Sequence, residues 1–329
     1  MSTPLVDINN LHVRFHGQRT VHAVNGVNLT LAPGETLGVL GESGSGKSVT
    51  LKTLLRLLPE TRSQITGEVR VSGVDVMGLA GKALANHRGG VVSMIFQDPM
   101  LALDPVYTIG EQIAEGVMRH EGASSREAYA RALEMLTRVR IPSPERRLKA
   151  YPHEMSGGMR QRAMIALALA CKPKLLLADE PTTALDATVQ IQILLLLREL
   201  QRELGMGMIF VTHDIGVAVE VSDRVAVMYA GQVVETGSVR DILRSPQHPY
   251  TRGLLAANLH GAQKGQRLQA IPGAPPPLDT APVTCSFAPR CPLKVAGCDV
   301  GPPPNVTLAP GREVRCIHAL NEAQESAAH

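Results

Sequence analysis

Thr36-Leu-Gly-Val-Leu-Gly-Glu-Ser-Gly-Ser-Gly-Lys-Ser-Val49 decides the fold. Thr36–Leu40 is apolar enough to read as a short buried strand. Beyond Val49, the residues Leu51, Leu54, Leu55 and Leu58 recur at i, i+3, i+4 and i+7, which predicts a helix. Between them, Gly41 to Ser48 fits G-x-x-x-x-G-K-[ST] in full, and strand–loop–helix is the context in which that pattern cradles phosphate. Glycines let backbone N–H groups curl around an anion. A helix N-terminus adds unpaired donors and partial positive charge. Lys47 supplies a full charge to the β- and γ-phosphates, and the Ser48 hydroxyl is a ligand for Mg²⁺. The candidate nucleotide-binding residues are Gly41, Glu42, Ser43, Gly44, Ser45, Gly46, Lys47, Ser48 and Val49.

Leu175-Leu-Leu-Ala-Asp179-Glu180 supplies a second half. An apolar strand ending in Asp179 would place a carboxylate where it holds Mg²⁺ through water. Glu180, next along, is the candidate to polarise an attacking water. Further apolar strands are predicted at Val91–Phe96 and Met208–Thr212. Helices are predicted after Ser125, with Tyr129, Ala132, Leu133 and Leu136 on one face, and through Ile193, Leu196, Leu197, Leu200 and Leu204. Strands alternating with helices mean an α/β fold with a largely parallel sheet. Residues 100–165 read as helical and interrupt that alternation, as an inserted helical subdomain would.

Tyr151-Pro-His-Glu-Met-Ser156-Gly157-Gly158-Met159-Arg160-Gln161-Arg162 opens a helix running through Ala163 to Cys171. Its start is a second anion-binding helix terminus. A chain with one phosphate loop has no need of another for the same nucleotide. The economical reading is that Ser156 and the two glycines meet the γ-phosphate of a nucleotide held by a partner chain.

Composition narrows the class. The chain has 329 residues, 44% hydrophobic and 19% charged, enough for a large core and about two domains. The net charge of +3, the lack of Trp and only nine Phe and Tyr give no reason to propose a nucleic-acid surface. MSTPLVDINNLHVRF has no signal-peptide core, and the longest apolar runs fall well short of the ~20 residues that span a bilayer. A soluble, cytosolic protein is expected, so any transport role needs separate membrane subunits.

Taken together, these motifs strongly resemble the ATP-binding-cassette ATPases, over residues 5 to about 258. The signature stands as Met-Ser-Gly-Gly-Met, where the commonest form is Leu-Ser-Gly-Gly-Gln. By the same resemblance, Gln97 in Ile-Phe-Gln-Asp-Pro matches the glutamine that links Mg²⁺ to the membrane-facing subdomain. Ala184-Leu185-Asp186 matches the D-loop. His213 in Val-Thr-His-Asp matches the histidine that contacts the γ-phosphate, and Phe15 the aromatic that stacks on adenine. The implied fold is a P-loop NTPase: a RecA-like core, an antiparallel β subdomain and an inserted helical subdomain. The implied catalytic set is Glu180, His213 and Gln97, with Ser48, Gln97 and Asp179 toward Mg²⁺ and ATP as the nucleotide.

Asp-Glu-Pro-Thr-Thr-Ala-Leu-Asp, Met-Tyr-Ala-Gly-Gln-Val-Val-Glu-Thr-Gly, His248-Pro-Tyr-Thr251 and Phe287-Ala-Pro-Arg-Cys-Pro292 look like the dipeptide/oligopeptide branch of importers, which also includes nickel and glutathione importers. That resemblance implies a second, related ATPase subunit, two membrane permease subunits, an external substrate-binding protein, and a peripheral place on the cytoplasmic face of the inner membrane. DNA-repair and chromosome ATPases of the superfamily insert long coiled coils between phosphate loop and signature, and no sustained heptads lie between Lys47 and Ser156. Ribosome-associated members carry two cassettes per chain, and this chain has one phosphate loop.

Eleven of the 23 prolines lie at or after Pro272, and Pro272-Gly-Ala-Pro-Pro-Pro277 reads as a stiff linker. The division expected is an ATPase domain over 1–258 and a small cysteine-rich module over 259–329. Cys171 reads as a small core residue. The other four, Cys285, Cys291, Cys298 and Cys316, are spaced C-x5-C-x6-C-x17-C. Disulfides are disfavoured in a cytosolic ATPase. Zinc sites usually show C-x₂₋₄-C pairs, absent here, while iron–sulfur clusters tolerate wider gaps. The residues alone leave zinc and cluster even, and His318 keeps a mixed ligand set open. The family resemblance implies a [4Fe–4S] cluster. A tail that served only as a metal or redox module would leave the phosphate loop unexplained.

Overall fold

The computed structural model describes residues 3–182, 185–258 and 271–319. The chain divides into two compact units, one of Met1–Met77 with Val211–His329 and one of Gly78–Phe210.

The first unit begins with β1 (Val6–Phe15), β2 (Val21–Leu31), β3 (Thr36–Leu40), β4 (Ser63–Val71) and β5 (Val74–Asp75). β1 lies between β2 and β4, antiparallel to both. Alternation buries Val6 and Ile8, then slips at Asn10, whose φ is 48°, before Leu11 and Val13 turn inward again. β3 is buried along its whole length, as a strand covered on both faces must be.

The helix after it spans Lys47–Leu54 and stops short of the predicted Leu58. Arg56 takes φ 49° and the Leu57 N–H donates to Lys52 O at 2.9 Å, a left-handed closure of the last turn just before Pro59. Leu58 is still buried, so the apolar spacing marked burial correctly and helix length wrongly.

The second unit holds β6 (Val92–Ile95) and β7 (Leu175–Asp179), paired in parallel with Val92 opposite Leu175 and Ile95 opposite Ala178. Between them run the helices Ile109–Glu121, Ser125–Arg138 and Gly157–Leu169. Ser124, not Ser125, caps the second of these: its hydroxyl accepts from the Glu127 N–H while Glu127 accepts from the Ser124 N–H at 2.9 Å. The buried stripe is Ala128, Ala132, Met135 and Leu136, and Tyr129 faces outward. Cys171 lies past the helix Gly157–Leu169 and is only half-buried, with burial pushing its thiol up to about 11. The helix Ala187–Leu204 completes the unit.

β8 (Gly207–Thr212) returns the chain to the first unit, followed by β9 (Arg224–Tyr229), β10 (Gln232–Ser238), β11 (Asn305–Ala309) and β12 (Arg312–Arg315). β3 pairs in parallel with β9. β10 pairs antiparallel with β9 and with β12, and β12 with β11. A mixed α/β architecture is therefore present.

The described C-terminal segment is built into this unit. Phe287 packs edge-on against Tyr229 and Tyr250, with ring centroids 5.3 and 5.5 Å away, and Tyr229 and Tyr250 lie 4.6 Å apart. Such aromatic pairs contribute roughly 0.5–1.5 kcal/mol each beyond area burial. The proline stretch predicted as a linker is docked as well: Leu278 O accepts from the His22 N–H at 2.6 Å, and Pro275, Pro276 and Leu278 wall a cavity with Glu42–Ser45.

Candidate functional site

Two glycines shape the loop that follows β3. Gly41 has φ 155°, and a Cβ there would meet Met228 O at 2.2 Å. Gly46 has φ 98°, and a Cβ there would meet Ala23 O at 2.5 Å. Any side chain at either position would collide with backbone, so the tight path requires glycine. Gly46 is also the N-cap of the helix Lys47–Leu54, and no side chain caps that terminus. Ser43 and Gly44 form the exposed tip, while Ser45 and Lys47 are buried at its base. Lys47 Nζ donates to Gly41 O at 2.8 Å and Glu42 O at 3.0 Å, spanning the loop from inside. Ser45 Oγ is buried without a hydrogen-bond partner. Ser48 and Val49 follow on the first helical turn, both half-buried.

Two other expected residues belong to this unit. Phe15 ends β1 opposite Val21 and Ser63, half-buried as a strand residue would be. His213 follows the end of β8 and is exposed. The next residue, Asp214, caps the helix Ile215–Val221 through the Gly216 N–H at 2.8 Å, which fixes the backbone beside His213.

The second unit carries the rest. β7 delivers Asp179, 7% exposed, and Glu180, whose φ of 46° turns the chain sharply at the strand end. Parallel register with β6 brings Gln97 to the same end, and Gln97 Nε2 donates to Glu180 Oε2 at 3.5 Å.

Ser156 caps the helix Gly157–Leu169 through the Met159 N–H at 3.4 Å, and its side chain is exposed beside Gly157 and Gly158. A Cβ on Gly158 would stand 3.1 Å from Val189, so the helix start packs closely on the helix Ala187–Leu204. Met155 is buried, which accounts for an apolar residue there. Asp186 is the exposed N-cap residue of Ala187–Leu204, while Ala184 lies outside the described residues.

Cys285, Cys291, Cys298 and Cys316 line one cavity of about 200 Å³ with His248, Phe287 and His318. All four are free thiols. Burial pushes the Cys285, Cys291 and Cys316 thiols up, and the neighbouring thiols add to that. Among the described residues no group of three or more His, Cys, Asp or Glu is arranged to hold a metal ion. His318 is turned to Leu293 O at 2.6 Å. His248 Nδ1 accepts from the Tyr250 N–H, and full burial lowers the ring to about 3, so it stays neutral.

Sequence reasoning missed the residues around Glu42. Its N–H donates to the Tyr250 hydroxyl at 2.9 Å, and its carboxylate takes a two-pronged ion pair from Arg290. The available signal was the arginine before Cys291 in Phe287-Ala-Pro-Arg-Cys-Pro292, which named a likeness without naming a contact.

The chain is similar to known proteins over most of its length. The ABC transporter family matches residues 24–183, and the oligopeptide/dipeptide transporter C-terminal region matches residues 234–298. A Brucella melitensis protein named as a peptide import ATP-binding protein is 52% identical over 316 residues, covering 96% of this chain and 95% of that one. A Sinorhizobium fredii protein named as a peptide ABC transporter ATP-binding protein is 50% identical, covering 95% and 94%. Among solved structures, the dimeric ATP-binding cassette MJ0796, bound to ADP and Pi in a post-hydrolysis state, matches with TM-score 0.64 and 33% identity, over 71% of this chain and 99% of that one. CbiO1 from Clostridium perfringens, part of an ABC transporter complex, matches with TM-score 0.63 and 27% identity, over 74% and 92%.

The chain belongs to the ATPases of the ABC transporter family. Within it, the chain falls in the dipeptide/oligopeptide branch, whose C-terminal region it carries. Its chemistry is ATP hydrolysis coupled to transport.

Proposed function

We propose that this chain is the ATP-hydrolysing subunit that powers peptide import through a membrane complex. The observation that carries the reading is the loop Gly41–Ser48: a backbone path open only to glycine, a helix terminus without a side-chain cap, and Lys47 inside it. Kinship with peptide-import ATP-binding proteins at 50–52% identity supports the cargo class.

In this reading the loop amides and Lys47 hold the β- and γ-phosphates, and Phe15 stacks on adenine. Ser48, Gln97 and Asp179 offer the hard oxygen donors that suit Mg²⁺, which neutralises charge on the phosphates when bound. Glu180 accepts a proton from water as its oxygen attacks the γ-phosphorus. The bond to the bridging oxygen breaks, giving ADP and inorganic phosphate. Gln97 holds the Glu180 carboxylate in place, and His213 contacts the γ-phosphate. Ser156, Gly157, Gly158 and Met159 serve the nucleotide of a second ATPase subunit, and Asp186 stands at the same junction. Closure of the pair then drives two permease subunits fed by a substrate-binding protein. The chain sits peripherally on the cytoplasmic face. No helix among the described residues is long and apolar enough to cross a membrane.

Residues 1–258 are read as the nucleotide-binding domain and 259–329 as a C-terminal module holding a [4Fe–4S] cluster on Cys285, Cys291, Cys298 and Cys316. This reading rests on four half-buried or buried thiols lining one cavity, although as they stand they are not arranged to hold a metal ion. The test of the main reading is peptide uptake by vesicles containing the reconstituted complex. Uptake should require ATP inside and should stop in Lys47→Ala, and uptake that survives Lys47→Ala refutes it.

A further inference from the structure

Glu42 occupies a position of the phosphate loop where the motif accepts any residue. Here it is held from both ends. Its N–H is taken by Tyr250 Oη at 2.9 Å, and its side chain by Arg290, 248 residues away in the chain. Arg290 Nη1 donates to Glu42 Oε2 at 2.9 Å and Nη2 to Oε1 at 3.1 Å, a parallel fork.

The remaining donors of the guanidinium are also engaged. Nε reaches Pro272 O at 2.8 Å, Nη2 reaches Ile271 O and Nη1 reaches the Tyr229 hydroxyl, both at 3.3 Å. All five N–H groups therefore have acceptors, and the side chain is only 6% exposed. A lysine has neither the fork nor the donors to replace it.

Arg290 closes the turn Ala288–Arg290, which is hung between two of the cavity cysteines. The Ala288 N–H donates to Cys285 O at 3.0 Å, and the Cys291 N–H donates to Ala288 O at 3.3 Å. One short turn thus lies between two cavity thiols and carries the guanidinium that grips the Glu42 carboxylate.

We propose that Arg290 is a positioning residue for the phosphate loop, so that the state of the Cys285–Cys291 turn sets how tightly the loop holds nucleotide. The proposal rests on reading Gly41–Val49 as the nucleotide site. A loop braced before binding loses less freedom when phosphate arrives. Slackening the turn withdraws the fork from Glu42 and weakens ATP without touching the reacting atoms.

The test uses the full chain and equilibrium binding of ATP, with thermal melting to confirm folding. Arg290→Ala, Arg290→Lys and Glu42→Gln should each weaken ATP roughly tenfold, the scale of one lost charge-assisted pair. The double variant Glu42→Gln/Arg290→Lys should be no weaker than the worse single. Cys291→Ser should weaken ATP in the otherwise native chain and add nothing in the Arg290→Lys background. In the assembled complex the loss should appear in KM for ATP, with kcat changed by less than about threefold.

If Arg290→Ala does not fold, the Lys variant and Glu42→Gln carry the comparison. Unchanged affinity in a folded Arg290→Lys chain, or effects of Cys291→Ser and Arg290→Lys that multiply, overturns the coupling. ATP binding that survives Lys47→Ala overturns the underlying reading of the loop instead, and the proposal goes with it.

Discussion

Gln97 Nε2 donates to Glu180 Oε2 at 3.5 Å, and the contact follows from strand register. Ile95 on β6 pairs with Ala178 on β7, so each strand places its next-but-one residue at the same end of the sheet. An amide beside a carboxylate orients it without removing its charge, as a cation would. The left-handed φ of 46° at Glu180 turns the side chain where the strand stops, a strained conformation of the kind found where a side chain must be aimed.

Glu180→Gln keeps that shape and removes the base. Hydrolysis by the reconstituted complex should fall by roughly 10²–10⁴-fold, the range for a lost general base, while ATP binding stays within about twofold of native. Phosphate release and equilibrium ATP binding check the two halves. Near-native turnover would take Glu180 out of the role.

Ser156→Arg places a long cation at the exposed start of the helix Gly157–Leu169. The isolated chain should bind ATP at its own loop normally, because Ser156 serves the partner's nucleotide. Hydrolysis by the assembled pair should drop by at least about a hundredfold. Loss of ATP affinity in the isolated chain would show that Ser156 acts within one chain.

How legible these features were depended on how local their causes are. β3, β7 and the loop between Gly41 and Ser48 were readable because buried parallel strands are continuous apolar runs and the glycines mark a required backbone path. Asp179 was placed by the same strand reading, whereas Gln97 and His213 were singled out only by the family resemblance. Helix ends were less so. Leu58 kept the helical spacing although Arg56 had already ended the helix, and Ser124 and Ser125 differ only in which one meets the Glu127 N–H. The Glu42–Arg290 pair could not be read locally, since its partners lie 248 residues apart and each sits in a motif that says nothing of the other. Pro272–Pro277 read as a spacer because proline stiffness says nothing about what a segment lies against, and here Pro275 and Pro276 lie beside Glu42–Ser45.

Ser124→Ala tests the cap of the helix Ser125–Arg138. It should cost about 1 kcal/mol and lower the melting temperature by a few degrees, with ATP binding unaffected. The Glu127 carboxyl is held below its ordinary value, chiefly by the Ser124 hydroxyl and then by its N–H. A depressed carboxylate stabilises the fold above its unfolded pKa, and that contribution fades as pH falls through the folded value. The difference in melting temperature between native and Ser124→Ala chains should therefore shrink below about pH 4. A constant difference down to pH 3 would mean the carboxylate plays no part.

Cys298→Ser tests the centre in the C-terminal cavity. The cavity draws on three separate stretches of chain, and Cys298 is bound into it through its backbone, with Cys298 O accepting from the Cys285 N–H at 3.2 Å. Burial raises the thiols of Cys285, Cys291 and Cys316, so an empty cavity would hold them protonated, whereas metal binding would draw off their protons. Oxygen-free purification should yield a brown protein with iron and acid-labile sulfide each near four per chain, the content of a cubane on four cysteines. Cys298→Ser should lose the colour and most of the iron, while Cys171→Ser, altered at a half-buried thiol in the other unit, should keep both. Stoichiometric zinc without sulfide after strictly anaerobic preparation would replace the cluster with a single-ion site. Retention of four irons in Cys298→Ser would remove that residue from the ligand set.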